Sequence, residues 1–312
     1  MTLRYGIELE SAGLTGQEIK EAIESAGGVF GGIMSYHGTA RGGYNDSRVQ
    51  GEYVWTVESD SSIGYENPIF RRNGQSYRYN RMCSMTQKGT HEIVSPIMYG
   101  EAGLKHMARV MKALARAGAM VNSTCGTHVT ISANNSRWNR MSLRKTAKVC
   151  RNINNFVVKY GNVIDMIVAP SRRGTRTGGR SPSGYCNRNQ YWGEEYELSR
   201  PSMQRYSNIN WGNFRLGNAN RTLHAQARDT RLGNRMEFRQ HQGTMNGAKL
   251  ANWIRLNHKI ISQFVNDNMS AGTDPMGQSA DFGGFCVALD LGDELKQYMI
   301  DRMVKFGFME VQ

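Results

Sequence analysis

A strand-like run at residues 235–242 constrains the fold of this chain more than any other stretch. Its alternation places four ionisable side chains on one strand face: Arg235, Glu237, Arg239 and His241. Met236 and Phe238 point the other way, which predicts that this second face packs into a core. Ionisable groups on one face are costly unless that face holds charge, and a carboxylate between two arginines suits a site for a metal cation and an anion. A salt-bridged surface strand is the alternative.

The bulk composition bounds the class of protein. The 312 residues are enough for one large domain or two ordinary ones. The net charge of +13 favours anionic partners such as nucleotides, nucleic acid or acidic polymers, without separating a phosphate-binding enzyme from a nucleic-acid binder. Five scattered cysteines without a CxxC pair indicate reduced thiols in a cytoplasmic protein. A strand-like run almost at the N-terminus predicts no signal peptide, and no apolar stretch is long enough to cross a membrane.

Further predicted strands also carry acidic or imidazole side chains. Glu8 and Glu10 share a strand face, where two carboxylates repel each other unless a cation lies between them. Glu92 and His128 lie on two later predicted strands. Each residue has an ordinary explanation when taken alone, because strand-edge glutamates are often solvated and a strand histidine is more often a hydrogen-bonded core residue than a ligand.

Hydrophobic periodicity predicts an α+β chain. Strands are predicted at residues 3–10, 29–36, 53–57, 91–97, 125–131, 202–211, 221–227 and 235–242. Helices are predicted at about residues 15–26, 101–117, 141–160 and 248–265, with a last one from about residue 293. Thr15 is expected to be the N-cap of the first helix and Asn246 that of the fourth.

Two polar segments interrupt this pattern. Residues 64–89 interleave arginines with aromatic side chains, which suits a nucleic-acid or polyanion surface, although a mobile insertion would have the same composition. Residues 170–201 are rich in Arg, Gly, Ser and Tyr without periodicity, which predicts a long loop that either binds a ligand or is disordered. Asp60, in the polar turn after the third strand, could ligate a metal or simply close the turn.

The polar residues together favour magnesium and a nucleotide. Mg²⁺ prefers oxygen ligands and usually shares its coordination shell with nucleotide phosphates. Three or four carboxylates with arginines for the phosphates are the composition that such a site needs. The His and Cys spacing of a zinc site is absent, as are a GxxxxGK[ST] phosphate loop and a GxGxxG dinucleotide-binding run.

Five motifs occur in an order that resembles a known family. They are Tyr5-Gly6-Ile7-Glu8-Leu9-Glu10, Trp55 with Asp60-Ser61-Ser62-Ile63, Glu92-Ile93-Val94-Ser95-Pro96-Ile97, Gly118 with Val121-Asn122 and Cys125-Gly126-Thr127-His128-Val129, and Arg235-Met236-Glu237-Phe238-Arg239 with Gly243-Thr244-Met245-Asn246. Together they resemble the amidoligase family of phages and bacteria, distantly related to glutamine synthetase and glutamate-cysteine ligase, over about residues 3 to 265. The resemblance implies a curved antiparallel sheet of the glutamine synthetase catalytic-domain type, with the site on its concave face and helices on its convex face.

The resemblance also implies roles for individual residues. Five side chains resemble the family's metal ligands: Glu8, Glu10, Glu92, His128 and Glu237. Arg239 resembles the arginine that contacts a phosphate, so the predicted catalytic residues are Arg239, Glu237 and His128. Three arginines are candidates for binding nucleotide phosphates, although their spacing matches the family less firmly: Arg228, Arg231 and Arg235.

The activity that the resemblance implies is the ATP-dependent joining of a carboxylate to an amine through an acyl phosphate, with Mg²⁺ or Mn²⁺. The expected substrates are small-molecule, peptide or protein carboxylates and amines, in the cytoplasm of a bacterial host if the chain is phage-encoded. A basic nucleic-acid-binding or virion-associated protein that keeps the fold without the chemistry is the alternative, and a ligase that modifies nucleic acid combines the two. Residues 1–312 are expected to form a single catalytic domain with insertions at about 64–89 and 170–201 and a helical extension at 270–312.

Overall fold

The computed structural model describes residues 3–34, 47–58, 63, 69–79, 83–132, 143–174, 186–193, 207–211, 235–265 and 276–310. The predictions for Asp60, Arg228 and Arg231, and for a strand at 221–227, lie outside these residues. The chain divides into two compact units. The N-terminal unit comprises Thr2–Thr130 and Gln242–Ala251, and the C-terminal unit comprises Ile131–His241 and Asn252–Gln312.

The fold mixes helices with mostly antiparallel strands. The strands are β1 (Arg4–Leu14), β2 (Val29–Met34), β3 (Val54–Glu58), β4 (Phe70–Arg72), β5 (Gln75–Tyr77), β6 (Gly89–Val94), β7 (Met98–Tyr99), β8 (Gly126–Ser132), β9 (Ile209–Asn210) and β10 (Arg235–Gln242). The helices are α1 (Gly16–Ser25), α2 (Ser47–Gln50), α3 (Gly100–Ala117), α4 (Leu143–Lys159), α5 (Gly161–Ile167), α6 (Gly247–Val265), α7 (Phe282–Leu289) and α8 (Asp293–Lys305), with a short 3-10 helix at Pro170–Arg172. Within the described part of the chain, we find no helix that combines the length and the apolar character needed to cross a bilayer.

The sheet of the N-terminal unit has the strand order β2-β3-β6-β1-β8, and β7 also pairs with β1. The pairs of β1 with β6, β1 with β7 and β3 with β6 are antiparallel. The prediction of an antiparallel sheet is wrong for one pair, because β2 and β3 run parallel. Residues 35–53, which include helix α2, connect these two strands, so the connection is long enough for a parallel crossover.

Local signals determine where the helices of the N-terminal unit begin and end. Thr15 Oγ1 accepts a hydrogen bond from the backbone of Glu18 at 3.1 Å, so Thr15 is the N-cap of α1 as expected. Glu18 Oε2 in turn accepts a hydrogen bond from the backbone of Thr15 at 2.8 Å, which completes a capping box. Gly118 ends α3 at φ +114°, a left-handed conformation that a glycine adopts without steric cost. Asn246 Oδ1 accepts a hydrogen bond from the backbone of Lys249 at 2.9 Å, as expected for an N-cap of α6.

One face of this sheet contacts helix α3. Trp55 of β3 is fully buried and donates from Nε1 to His106 Nε2 of α3 at 3.0 Å. The fully buried Tyr5 of β1 lies against Gly103 of α3, where an added Cβ would come within 2.9 Å of the tyrosine hydroxyl. Since side chains alternate along a strand, residues at odd-numbered positions of β1 and β3 lie on this face. Their even-numbered neighbours, including Glu58, lie on the other.

Part of the predicted insertion at 64–89 is a packed hairpin. Strands β4 and β5 are joined by Asn73 and Gly74, both at positive φ, which matches the two-residue turn of a tight β-hairpin. Phe70 of the hairpin is fully buried in a cluster with Ala12, Ile63, Met120 and Cys125. The hairpin is therefore anchored to the core of the N-terminal unit through Phe70.

The C-terminal unit is built around aromatic side chains. The ring of Phe285 on α7 lies 5.6 Å from that of Phe156 on α4 and 5.2 Å from that of Tyr160 in the following turn. The ring of Phe264 on α6 lies 5.5 Å from that of Phe156. Helix α7 was not predicted, because its two glycines and short length give no clear periodicity. Of the predicted strand at 202–211, the described residues 207–211 contain β9 and an isolated bridge from Ser207 to Asn187, and residues 202–206 lie outside the described part of the chain.

Candidate functional site

The predicted Glu-x-Glu pair of β1 meets His128 of β8. His128 Nδ1 lies 3.2 Å from Glu8 Oε2, and its Nε2 lies 3.4 Å from Glu10 Oε1. Each ring nitrogen therefore faces one carboxylate, and the imidazole side chain is only 4% exposed. This geometry confirms that Glu8 and Glu10 share a strand face and that His128 lies on that face.

Glu10 belongs to a row of three carboxylates across three adjacent strands. It lies directly opposite Glu92 of β6, and Glu92 lies directly opposite Glu58 of β3. Side chains directly opposite each other in antiparallel strands have Cβ atoms about 4.5–5.5 Å apart. All three are buried, with exposures of 4% for Glu10, 1% for Glu92 and 7% for Glu58.

Glu58 is the member of this row that sequence reasoning missed. The third strand was predicted to end at Val57, and Glu58 was placed in the polar turn that follows it. The structure extends β3 through Glu58. The signal was present in the alternation of this segment, because Val54, Thr56 and Glu58 fall on one face while Trp55 and Val57 are buried on the other.

A backbone turn holds the carboxylate of Glu10. The N–H of Gly126, the first residue of β8, donates to Glu10 Oε2 at 2.6 Å. The preceding residue, Cys125, accepts a backbone hydrogen bond from Gly243 at 2.8 Å. An added Cβ at Gly243 would lie 2.6 Å from the Cys125 Cβ, so this position requires a glycine. The family-like stretches around Cys125 and Gly243 therefore support the position of a candidate ligand.

A second group of predicted site residues lies in the C-terminal unit. Arg239 forms an ion pair with Glu237 two residues earlier on β10, so the two share a strand face as predicted. The other oxygen of Glu237 accepts a hydrogen bond from Asn210 Nδ2 at 2.5 Å. Asn210 lies directly opposite Glu237 in the pairing of β9 with β10. Sequence reasoning did not single out Asn210.

An amide side chain supports the outer edge of β9. Asn189 Nδ2 donates to Ile209 O at 3.0 Å, and Asn189 Oδ1 accepts from Ile209 N at 2.9 Å. The amide thus satisfies both backbone groups of Ile209, as a neighbouring strand would do. Because Asn210 follows directly, this contact helps to hold the hydrogen-bond donor of Glu237.

The two remaining ionisable residues of β10 are buried. Arg235 and His241 are 6% and 1% exposed. The imidazole of His241 lies 5.5 Å from the indole ring of Trp253 on α6. His241 therefore packs against a buried aromatic side chain. Strand alternation alone could not show whether His241 packs in this way or contributes to the site.

The N-terminal group has the composition of a divalent cation site. It offers the carboxylate oxygens of four glutamates and one imidazole, and oxygen ligands are those that Mg²⁺ and Mn²⁺ prefer. Three buried carboxylates that lie directly opposite one another repel each other, and a cation among them would remove that cost. The C-terminal group differs in kind, because it presents a guanidinium beside a carboxylate, a pair suited to binding an anion close to a cation.

Comparison with known protein families identifies the family of this chain. The family model described as "Putative amidoligase enzyme" matches residues 1–261 of the 312-residue chain. The chain belongs to the amidoligase family. No curated protein matches the chain.

Two solved structures are similar to the chain at low sequence identity. One, described as "Crystal structure of novel glutamine synthase homolog", has 12% identity and a TM-score of 0.37, with 98% of this chain and 65% of that chain covered. The other, described as "GmaS/ADP complex-Conformation 1", has 10% identity and a TM-score of 0.34, with 98% of this chain and 67% of that chain covered. The chain thus spans about two thirds of the length of both.

Proposed function

We propose that the chain is an ATP-dependent carboxylate–amine ligase that forms an amide or peptide bond through an acyl phosphate. The observation that carries the proposal is the buried row of Glu10, Glu92 and Glu58 beside His128, in a member of the amidoligase family. A protein that only bound polyanions would have no use for buried carboxylates. The proposal implies that these carboxylates line the concave face of a curved sheet.

The acidic side chains are proposed to hold Mg²⁺ or Mn²⁺. Within the N-terminal unit the ligands would be Glu8, Glu10, Glu58, Glu92 and His128. Glu237 is proposed as a further metal carboxylate from its match to the family motif. When bound, such cations supply positive charge that neutralises phosphate oxygens. The residues of the N-terminal unit fit this role because Glu10, Glu92 and Glu58 are buried and lie opposite one another on adjacent strands.

Arg239 is proposed to contact the phosphoryl group that is transferred. Its guanidinium is planar and always charged, and Glu237 orients it by an ion pair. Donors that are fixed before the reaction stabilise charge that develops on phosphoryl oxygens in the transition state. The buried Arg235 is proposed to bind nucleotide phosphates, and the same role is proposed for Arg228 and Arg231.

The proposed reaction has two steps. An oxygen of the substrate carboxylate attacks the γ-phosphorus of ATP, the bond from phosphorus to the bridging oxygen breaks, and ADP leaves. The amine nitrogen then attacks the acyl carbon, and inorganic phosphate leaves with the electrons of the C–O bond. The nitrogen loses one proton to a base or to water, so that atoms and charge balance.

A second candidate is that the acceptor substrate is nucleic acid or another polyanion. The observation that favours it is the surface of the β4–β5 hairpin, where Arg71, Arg72 and Arg78 are exposed. The rings of Tyr77 and Tyr79 lie beside them, stacked at 6.2 Å with an interplanar angle of 7°. Exposed cations next to aromatic rings are typical of single-strand binding surfaces. Binding of an oligonucleotide that weakens steeply with salt and is lost on neutralising these arginines would support this candidate.

The decisive experiment for the ligase proposal measures the melting temperature with ATP, with Mg²⁺, and with both. A ligand at 100 times its Kd adds roughly 2.7 kcal/mol to the free energy of unfolding, so ATP with Mg²⁺ should give a clear shift. Glu92→Gln should abolish most of this shift, whereas Glu24→Gln should not, because Glu24 is an exposed glutamate of α1. An equal shift in both variants would exclude the acidic row from nucleotide–metal binding.

A further inference from the structure

Two arginines of the C-terminal unit share one aromatic ring and carry buried donors without partners. Arg302 of α8 donates from Nε to the backbone oxygen of Ile167 at 3.0 Å, and Arg173 donates from Nε to that of Val168 at 3.1 Å. Their guanidinium carbons lie 4.5 and 5.1 Å from the centroid of the Phe306 ring. Because both distances end at the same ring centroid, the two guanidinium carbons are separated by at most the sum of the two distances. Nη2 of each arginine is buried and has no hydrogen-bond partner.

A third buried donor without a partner lies on the same helix. Tyr298 precedes Arg302 by four residues, so the two side chains lie on one face of α8. The hydroxyl of Tyr298 is buried and makes no hydrogen bond. Burial raises the pKa of Tyr298, and the nearby charge of Arg302 opposes this shift without overcoming it. The hydroxyl therefore stays protonated and remains able to donate.

The positive charge at this place is not balanced within the described part of the chain. Neither Arg302 nor Arg173 forms an ion pair with a carboxylate of the described residues. Asp165, whose charge acts on Arg173, is itself ion-paired with Arg188 at 2.5 Å. Burial lowers the pKa of both unpaired arginines, which reflects the cost of holding their charge away from water. A buried charge without a counter-ion is strongly unfavourable, and an anionic ligand would remove that cost.

The two arginines differ in their exposure to solvent. Arg302 is 6% exposed, whereas Arg173 is only half-buried and also lies 4.8 Å from the ring of Phe308. Phe308 is 44% exposed. Arg173 is therefore the more accessible of the two arginines to an anion from solvent.

We propose that Arg173, Arg302 and Tyr298 form a binding site for a phosphate group in the C-terminal unit. Two guanidinium charges match the near-double negative charge of a phosphate, and their planar forks match its oxygens. The hydroxyl of Tyr298 supplies an uncharged donor for a further oxygen. The phosphate is either free inorganic phosphate or the phosphate of a nucleotide, and both present the same oxygens to the site.

The test is a calorimetric titration with inorganic phosphate, with AMP and with acetate. It is performed on the full chain carrying Arg239→Gln, so that the proposed phosphoryl contact of β10 does not contribute. Arg302→Gln should weaken phosphate binding about tenfold or more, and Arg302→Lys should weaken it less, because it keeps the charge and loses the fork. Lys305→Gln, which removes an exposed charge from the same helix, should leave the affinity unchanged. AMP that binds with the affinity of phosphate supports a site for the phosphate alone. AMP that binds more tightly, and whose binding is weakened by Arg302→Gln as that of phosphate is, identifies a nucleotide.

Two further variants keep the proposal falsifiable. The half-buried Arg173→Gln carries the test if the buried Arg302→Gln fails to fold. In the absence of phosphate, Tyr298→Phe should raise the melting temperature, because it removes a buried hydroxyl that lacks a partner. It should also weaken phosphate binding about threefold or more, because one hydrogen-bond donor is lost. The absence of phosphate binding, or an affinity unchanged by the arginine substitutions, would overturn the proposal. Acetate that binds as tightly as phosphate would show that the site is not specific for a phosphate group. None of these results depends on ligase turnover.

Discussion

Glu58 lies directly opposite Glu92 in the antiparallel pair of β3 and β6. Both carboxylates are buried, and Glu92 lies in turn opposite Glu10 of β1. Like charges directly opposite each other destabilise a sheet, so this arrangement carries a cost in the absence of a cation. A cost of this kind at a buried position is typical of a site whose function needs the charges together.

Glu58→Gln should have opposite effects with and without a divalent cation. Without one, the variant should melt at a higher temperature than the wild type, because up to about 1 kcal/mol of repulsion is removed. With Mg²⁺, the variant should gain less stability than the wild type, because one cation ligand is lost. Melting temperatures in EDTA and in Mg²⁺ measure both effects, with Glu24→Gln as the control for the loss of one negative charge. A Mg²⁺-induced shift equal to that of the wild type would place the cation elsewhere.

His128→Ala should reveal the role of the imidazole between Glu8 and Glu10. Its two nitrogens lie within 3.4 Å of the two carboxylates, so its removal leaves both without this neighbour. We expect a loss of about 1–3 kcal/mol in the free energy of unfolding in EDTA, and a larger loss in Mg²⁺, because a proposed cation ligand is removed as well. Urea denaturation under both conditions measures the difference. Thr130→Ala, two residues along the same strand face, is the control, and an identical loss in both conditions would give His128 a purely structural role.

Glu237 and Arg239 should have separable roles in catalysis. Glu237→Gln removes a negative charge and the ion-pair partner of Arg239, so it should raise the Mg²⁺ concentration needed and lower turnover. Arg239→Lys keeps the charge but loses the planar donor, so it should lower kcat on the order of 10²-fold while ATP affinity changes little. ADP release measures both.

A surface salt bridge would behave differently. It would change the free energy of unfolding by less than about 1 kcal/mol and leave ADP release intact. Arg255→Lys provides the matched control, because Arg255 pairs with Glu294, which is 74% exposed. Kinetics of Arg239→Lys that match those of Arg255→Lys would exclude Arg239 from the proposed reaction.

The sequence predicted the local features of this fold better than its long-range pairing. The N-cap at Thr15 and the end of α3 before Gly118 follow from residues within one turn of helix, so the local pattern was enough to predict them. The sharing of one face by Glu8 and Glu10 likewise follows from strand alternation. The hairpin of β4 and β5 was missed although its Asn73-Gly74 turn is a strong short-range signal.

The acidic row could not be derived in the same way. Glu10, Glu58 and Glu92 are far apart in the chain, and only the register of two strand pairs places them in line. The register of a strand depends on how its opposite face packs, because a shift of the pairing by one residue would move every side chain to the other face of the sheet. The family resemblance supplied Glu10 and Glu92, but Glu58 needed the structure. Asn210 was missed for the same reason, since its contact with Glu237 exists only through the pairing of β9 with β10.

The last prediction concerns the buried His106 of α3 and the pH dependence of stability. Burial, together with the charge of Arg109, lowers the pKa of His106 from 6.5 to about 4. Below about pH 6.5 the unfolded chain binds a proton at this residue and the folded chain does not, so the free energy of unfolding falls as the pH falls towards about 4. Protonation of Nε2 would also break the hydrogen bond from Trp55, whose length is 3.0 Å. The shift corresponds to at most about 3 kcal/mol.

His106→Gln should flatten this dependence, because glutamine can accept the hydrogen bond from Trp55 and does not titrate. Urea denaturation of wild type and variant at several pH values between 4 and 7 measures the difference, in which the contributions of all other titrating groups cancel. The wild type should lose more stability than the variant over this window, and the difference should stop growing below the folded pKa. Parallel curves for the two proteins would mean that His106 titrates equally in the folded and unfolded chains, despite its burial against Trp55.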